Sequence, residues 1–338
     1  MNAGFDPGIE QARARADSVS APRPGPLRLP SGHEIRVGTA GWTDATLTAA
    51  GVFYPVDATT PEARLRYYAS RFALVEVDAG FYALPTPQMA GRWIERTSDG
   101  FTFDLKAHAL MTGHPTAPSR LPAELRARLA PEQAAARSLA ARDVAHDVID
   151  EVWNRFADAA RTLDQAGRLG AILLQYPPWF APTRHNLDRV LDAAPRLDGL
   201  PVSVEFRHAG WYAPRVIDRL LLHLRNAAVP LVIVDGPQGL PKSVPPLLEV
   251  TAPSLTVVRM HGHRADQWAR RGATVLDKYR YLYSRDELGA WVPRVLDVAE
   301  RSAHTHVVFN NCYANYGTTN ALEFGEMLVR VVYGTAPS

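Results

Sequence analysis

Residues 169–212 read LGAILLQYPPWFAPTRHNLDRVLDAAPRLDGLPVSVEFRHAGWY. The stretch opens on the apolar run Ala171–Tyr176 and passes a proline-bearing turn. It continues as Arg184–Ala194, where apolar residues recur at helical spacing, then returns to an apolar run at Val202–Phe206. A short strand, a helix-length segment and another short strand make a βαβ unit, whose two strands are parallel.

The same alternation extends in both directions. Strands are predicted at Ile35–Gly41, Leu74–Ala79 and Phe101–Ala107 before this unit, and at Leu231–Asp235, Leu255–Met260 and His306–Asn310 after it. Helices are predicted at Pro61–Ser70, Pro87–Arg96, Val148–Ala166, Pro214–Asn226, Arg285–Ser302 and Asn320–Val331. About eight strands fit an α/β fold of the (β/α)8 TIM-barrel type. A doubly wound open sheet would want G-x-G-x-x-G after its first strand, and that place reads GTAGWTDA. The expected organisation is a leader and linker over residues 1–32, mobile and rich in proline towards its end, then one barrel domain over 33–333. A helical insertion over 114–146 is expected after the third strand.

Composition narrows the class. The chain has 338 residues, 46% hydrophobic and 21% charged, which excludes a disordered or fibrous protein. No apolar run reaches the roughly 20 residues of a membrane helix. The opening MNAGFDPGIEQARARADS lacks the apolar centre of a secretory signal, so a cytoplasmic location is expected. A net charge of +2 makes no electrostatic case for nucleic acid. A single cysteine, Cys312, excludes an intrachain disulfide and a thiolate-rich metal site. Lys106, Lys242 and Lys278 are the only lysines among 37 cations, so arginine is the default here and a lysine stands out.

Polar residues gather where the predicted strands end: Asp78, Lys106 and His108, Gln175, Glu205 with Arg207 and His208, Asp235, Arg259 with His261 and His263, Asn310 and Asn311. Active sites of (β/α)8 barrels lie at those C-terminal ends. Side chains alternate along a strand, so in PVSVEFRH the residues Val202, Val204 and Phe206 face the helices while Ser203, Glu205 and Arg207 turn inward. The same parity turns Lys106 inward, and layer logic would place Lys106, Glu205 and Arg259 or His261 near one another. Each has a bland counterpart: Lys106 and Glu205 as a structural ion pair, Asp235 as the start of a turn, His261-Gly262-His263 as too few ligands for a metal. Aromatics follow the same strand ends, Trp42, Tyr82 and Trp211 among them, and offer flat faces for a ring.

The strings GTAGW (38–42), VFYP (52–55), VEVDAGFYALP (75–85), FTFDLKAH (101–108), LGAILLQYPPWF (169–180), VSVEFRHAGWY (202–212), VVRMHGH (257–263) and VVFNNCYANYGTTNA (307–321), in this order, resemble the DUF72 (YecE-like) family over about residues 35–330. The resemblance implies a TIM-barrel fold and no particular reaction. It implies characteristic positions at Trp42, Tyr54, Asp78, Phe81, Tyr82, Lys106, Gln175, Glu205, Arg207, His208, Trp211, Arg259, His261, Gly262, Asn310, Asn311 and Asn320. The chain departs from that pattern at Ala79-Gly80 and in the Cys312–Thr319 loop.

The reading that follows is an enzyme of hydrolase or lyase type, acting on an anionic small molecule that is phosphorylated or ring-bearing. Glu205, Lys106 and His261 are the expected catalytic residues. Arg207, Arg259, Asp78, Trp42, Tyr82, Gln175, Trp211, Asn310 and Asn311 are the expected ligand-binding residues. No cofactor, metal or membrane partner is expected. Two alternatives stand beside it: a metal-dependent phosphoesterase using Asp78, Glu205, Asp235 and His261, and a non-catalytic barrel binding nucleic acid or protein, with nucleic acid the less favoured partner.

Overall fold

The computed structural model describes residues 6–20 and 24–334. Its strands are β1 (Leu27–Arg28), β2 (Glu34–Ala40), β3 (Leu74–Val77), β4 (Thr102–Lys106), β5 (Leu169–Tyr176), β6 (Val202–Phe206), β7 (Ile233–Asp235), β8 (Leu255–Met260) and β9 (His304–Phe309). Its longer helices are α1 (Pro7–Asp17), α2 (Pro61–Ala69), α3 (Pro87–Glu95), α4 (His146–Gln165), α5 (Arg184–Arg196), α6 (Pro214–Asn226), α7 (Arg285–Ala299) and α8 (Tyr316–Tyr333). From β2 to α8 strands alternate with helices, the element order of the (β/α)8 TIM-barrel class. The connection from β7 to β8 has no helix. Pro237, Pro241, Pro245 and Pro246 remove the backbone donors that a helix there would need.

The chain groups into two compact units. The first takes the residues up to Glu76, Arg96–Phe101 and the residues from Leu231 onward. Its parallel ladder runs β3, β2, β9, β8, β7, with β1 antiparallel on β2. Val37 is opposite Val307, Val307 opposite Val258, and Val258 opposite Ile233, so one apolar row crosses four strands. Strands this thoroughly buried are the rule in parallel sheets, whose two faces are both covered.

The same unit holds a departure from expectation. Residues 7–17, read as part of a mobile leader, form α1, and α1 packs along α8. Asp6 caps the helix through its carboxylate, Pro7 opens the first turn, and Ala12 is fully buried. The contacts climb both helices in step: Asn315 Nδ2 donates to the Ile9 carbonyl, the Thr319 hydroxyl to the Ala12 carbonyl, and Arg15 grips the buried Glu323 at 2.9 and 2.5 Å. Residues 1–5 and 21–23 of the expected leader lie outside the described residues.

The second unit takes Val77–Glu95 and Thr102–Pro230. Its ladder is β4, β5, β6, with α3 packed on α4 and Trp93 stacked on Phe103. Lys106 is opposite Leu173, and Gln175 is opposite Glu205. Alternation therefore puts Lys106, Leu173, Gln175 and Glu205 on one face of the ladder. Tyr176 and Phe206 take the other face, where they stack with Phe180 and Trp211. The segment expected as a helical insertion is a series of short helices, none longer than four residues, at Pro118–Arg120, Ala123–Arg126, Pro131–Ala134 and Ala141–Asp143. A bridge between Thr116 and Leu139 ties its base.

Candidate active site

The second unit gathers a polar cluster where β4, β5 and β6 end. Glu205, the last-but-one residue of β6, is completely buried. Its Oε1 accepts the Gln175 side-chain amide at 2.9 Å and lies 3.2 Å from Arg207 Nη1. A buried carboxylate needs such donors, since its desolvation is otherwise uncompensated. Lys106 ends β4; its Nζ sits 3.1 Å from Asp78 Oδ1 and 4.9 Å from the centre of the Phe81 ring. Gly80 makes this approach possible, since a Cβ there would come within 2.9 Å of the Lys106 carbonyl.

Two residues outside the expected catalytic and ligand-binding set join the cluster. His114 lies between Phe81 and Trp179, with its Nδ1 2.9 Å from the Thr112 hydroxyl. Burial, with Lys106 and Arg207 nearby, lowers its pKa to about 4, so the ring is neutral at pH 7. Tyr212 follows β6 in the turn Ala209–Tyr212. Its hydroxyl is buried and has no hydrogen-bond partner among the described residues. Burial and the nearby Glu205 push the phenol well above its usual range, so it remains a proton donor. The signal for both lay in the loops, at GHP (113–115) and HAGWY (208–212).

The remaining ligand candidates of this unit divide. Tyr82 stands half-exposed beneath Arg120, 5.1 Å from its ring. Trp211 is a core residue: it is buried, stacks 4.5 Å from Phe206, and donates its indole N–H to the Phe180 carbonyl.

In the first unit the candidates serve each other. Arg259 is fully buried and bound through both oxygens of Glu76, Nε at 2.9 Å and Nη2 at 2.6 Å, so an internal carboxylate already holds the guanidinium expected to bind an anion. His261 is buried with Nδ1 2.8 Å from the Asn310 amide. Asn311 donates to the Tyr281 carbonyl and to Asn320 Oδ1, fastening the segment before α7. Trp42 is buried, and its carbonyl accepts the Tyr54 hydroxyl. Gly262 adopts φ +83°, and a Cβ there would meet Tyr281 at 2.5 Å.

His263 is the better-connected histidine of that motif. Its Nε2 is 2.9 Å from Asp235 Oδ2 and its Nδ1 3.1 Å from Glu287 Oε1. Asp235 also accepts the Tyr283 hydroxyl at 2.7 Å. The two carboxylates raise the His263 pKa, Asp235 foremost. Among the described residues no three His, Cys, Asp or Glu side chains gather as a metal site. No described helix is long and apolar enough to cross a membrane.

Comparison with known proteins agrees with this architecture. The family described as "Protein of unknown function DUF72" matches residues 36–337. The UPF0759 protein YunF of Bacillus subtilis (strain 168) is 26% identical over 306 residues, 90% of this chain and 98% of that one. A crystal structure of a DUF72 family protein from Enterococcus faecalis V583 superposes with a TM-score of 0.70 at 23% identity, covering 87% of this chain and 95% of that one. A DUF72 family protein from Thermotoga maritima MSB8 gives 0.67 at 26% identity, covering 87% and 98%. With a match over nearly all of its length and relatives that share its fold, the chain belongs to the DUF72 family.

Proposed function

We propose that this protein is an enzyme of hydrolase or lyase type, using general acid–base chemistry on a small anionic, ring-bearing ligand at the ends of β4, β5 and β6. The observation that carries the reading is Glu205: a wholly buried carboxylate, held by Gln175 and Arg207, next to a buried Tyr212 hydroxyl with no protein acceptor among the described residues. A group held in this way can exchange a proton without moving, which is the requirement for acid–base catalysis. Glu205 is the proton acceptor or donor. Lys106 and Arg207 supply the positive charge for an anionic group, with Asp78 orienting the Lys106 ammonium. His114, neutral between two aromatic rings, supplies a second proton acceptor. Phe81 and Tyr82 offer flat faces for a ring.

The test is a thermal-shift panel of sugar phosphates, nucleotides and other small anions on the wild type, Glu205→Gln and Lys106→Met, followed by turnover assays on whatever binds. The expected result is a saturable shift with wild type that both variants lose while keeping a native circular-dichroism spectrum. Failure of both variants to fold would assign the cluster to architecture. Binding retained in Glu205→Gln together with a strongly salt-dependent affinity for single strands would favour the non-catalytic reading.

A further inference from the structure

A second feature of the same unit takes no part in the Lys106–Glu205 cluster. Between α4, α5 and the turn Ala141–Asp143 lies a groove of about 500 Å3, within the size range of small-molecule sites. Its walls are aromatic. Trp153 of α4 is buried, Tyr176 and Phe180 stack 4.2 Å apart, and Trp179 stands 62% exposed at the edge. Ala140 and Ala141 face it with short side chains. Large flat residues opposite small ones leave a slot suited to a planar ring.

Two guanidinium groups overhang these rings, and their electrostatic states differ. Arg196 lies 4.6 Å from the Trp153 ring and is paired with Asp150. Arg189 lies 5.2 Å from the Phe180 ring, and no carboxylate among the described residues reaches it as an ion pair. Asp192 is the only acidic residue on the lining, against Arg142, Arg189 and Arg196. Gly113, in the left-handed region at φ +82°, keeps the far wall clear: a Cβ there would stand 3.3 Å from Arg189 Nη2. An unneutralised arginine over an aromatic ring on the lining of the groove offers N–H donors and a positive charge to an anion that enters.

We propose that this groove is a second ligand site, which takes a planar aromatic anion: the ring enters among Trp153, Tyr176 and Trp179, and its phosphate or carboxylate group pairs with Arg189. The site adjoins the acid–base cluster through Trp179, whose ring also packs on His114, and does not rest on the reading of that cluster.

The probe is 1-naphthyl phosphate, titrated calorimetrically against the full chain. One saturable site is expected, with inorganic phosphate alone and 1-naphthol each binding at least about tenfold more weakly, because each lacks half of the recognition. Arg189→Gln should weaken the probe about tenfold and Arg189→Lys by less, since a lysine keeps the charge and loses the fork. Lys106→Met should leave the affinity within about twofold. Arg189 makes no hydrogen bond among the described residues, so Arg189→Gln should keep its melting temperature, which is read in the same experiment. Absence of saturable binding, affinity unchanged in Arg189→Gln, or affinity lost in Lys106→Met would each overturn the proposal, and the last would place the probe in the acid–base cluster instead.

Discussion

Arg259 and Arg207 both follow the inward parity of a strand, yet the two units use them differently. Arg259 is buried with two of its donors on the two oxygens of Glu76, and nearby His263 has one ring nitrogen on Asp235 and the other on Glu287. Arg207 meets Glu205 at 3.2 Å, in a cluster where the Tyr212 hydroxyl has no acceptor among the described residues and the His114 ring is held neutral. In the first unit opposite charges are matched within the protein, so their interaction energy serves the fold. Beside the Arg207–Glu205 pair of the second, the Tyr212 hydroxyl is buried without a hydrogen-bond partner among the described residues, as are the Asn311 and Asn315 side-chain oxygens of the first unit; such a group costs stability and makes sense where a ligand completes the set.

The sharpest way to break that contrast is Glu76→Gln. It leaves the Arg259 guanidinium buried without its counter-charge and should cost about 3–5 kcal/mol in urea unfolding. Glu205→Gln, beside a partly accessible Arg207, should cost well under half as much. Equal losses would erase the distinction between the units.

The pH dependence of stability should separate them next, with opposite signs. The raised pKa of His263 means that its contribution is complete below the ordinary histidine value near 6.5 and fades as pH climbs through the folded-state value. His114 and the fully buried His108 have folded-state pKa values of about 4, so their contribution is complete above 6.5 and is lost as pH falls towards 4. Urea midpoints across pH should show His263→Asn flattening the alkaline side and His114→Asn the acid side. A His114 ring resonance titrating near 6.5 would mean that it is solvated and that the second unit lacks this signature.

The smallest expected effect on stability is that of Tyr212→Phe. A hydroxyl without a partner contributes little, so the unfolding free energy should stay within about 0.5 kcal/mol or rise. Ligand affinity or turnover, once a ligand is in hand, should fall about tenfold. A clear loss of stability would reveal an acceptor for the hydroxyl and move Tyr212 into the architecture.

Much of this was legible in the chain itself. Strand ends and period-two parity suffice to bring Lys106, Gln175, Glu205 and Arg207 together, because those residues lie on three neighbouring strands whose register is set by the apolar pattern. The partner of Arg259 was not legible, since Glu76 lies 183 residues away and only the β3–β2–β9–β8 ladder unites them. Trp211 follows β6 yet packs on the face of Tyr176 and Phe206, because the turn at Ala209–Tyr212 carries it back over Phe206. Helix α1 escaped notice because it buries small residues such as Ala12 and draws its hold from backbone carbonyls and one ion pair, which leave no hydrophobic stripe.

That helix has a practical consequence for anyone trimming the protein. The family match begins at residue 36, a natural place to cut. A truncation there would strip Arg15 from the interior carboxylate of Glu323 and Ser20 from that of Glu326, and bare the flank of α8 that Ala12 now covers. The shortened polypeptide should express poorly or self-associate through the uncovered flank, so the boundary drawn by homology is narrower than the smallest piece fit for purification.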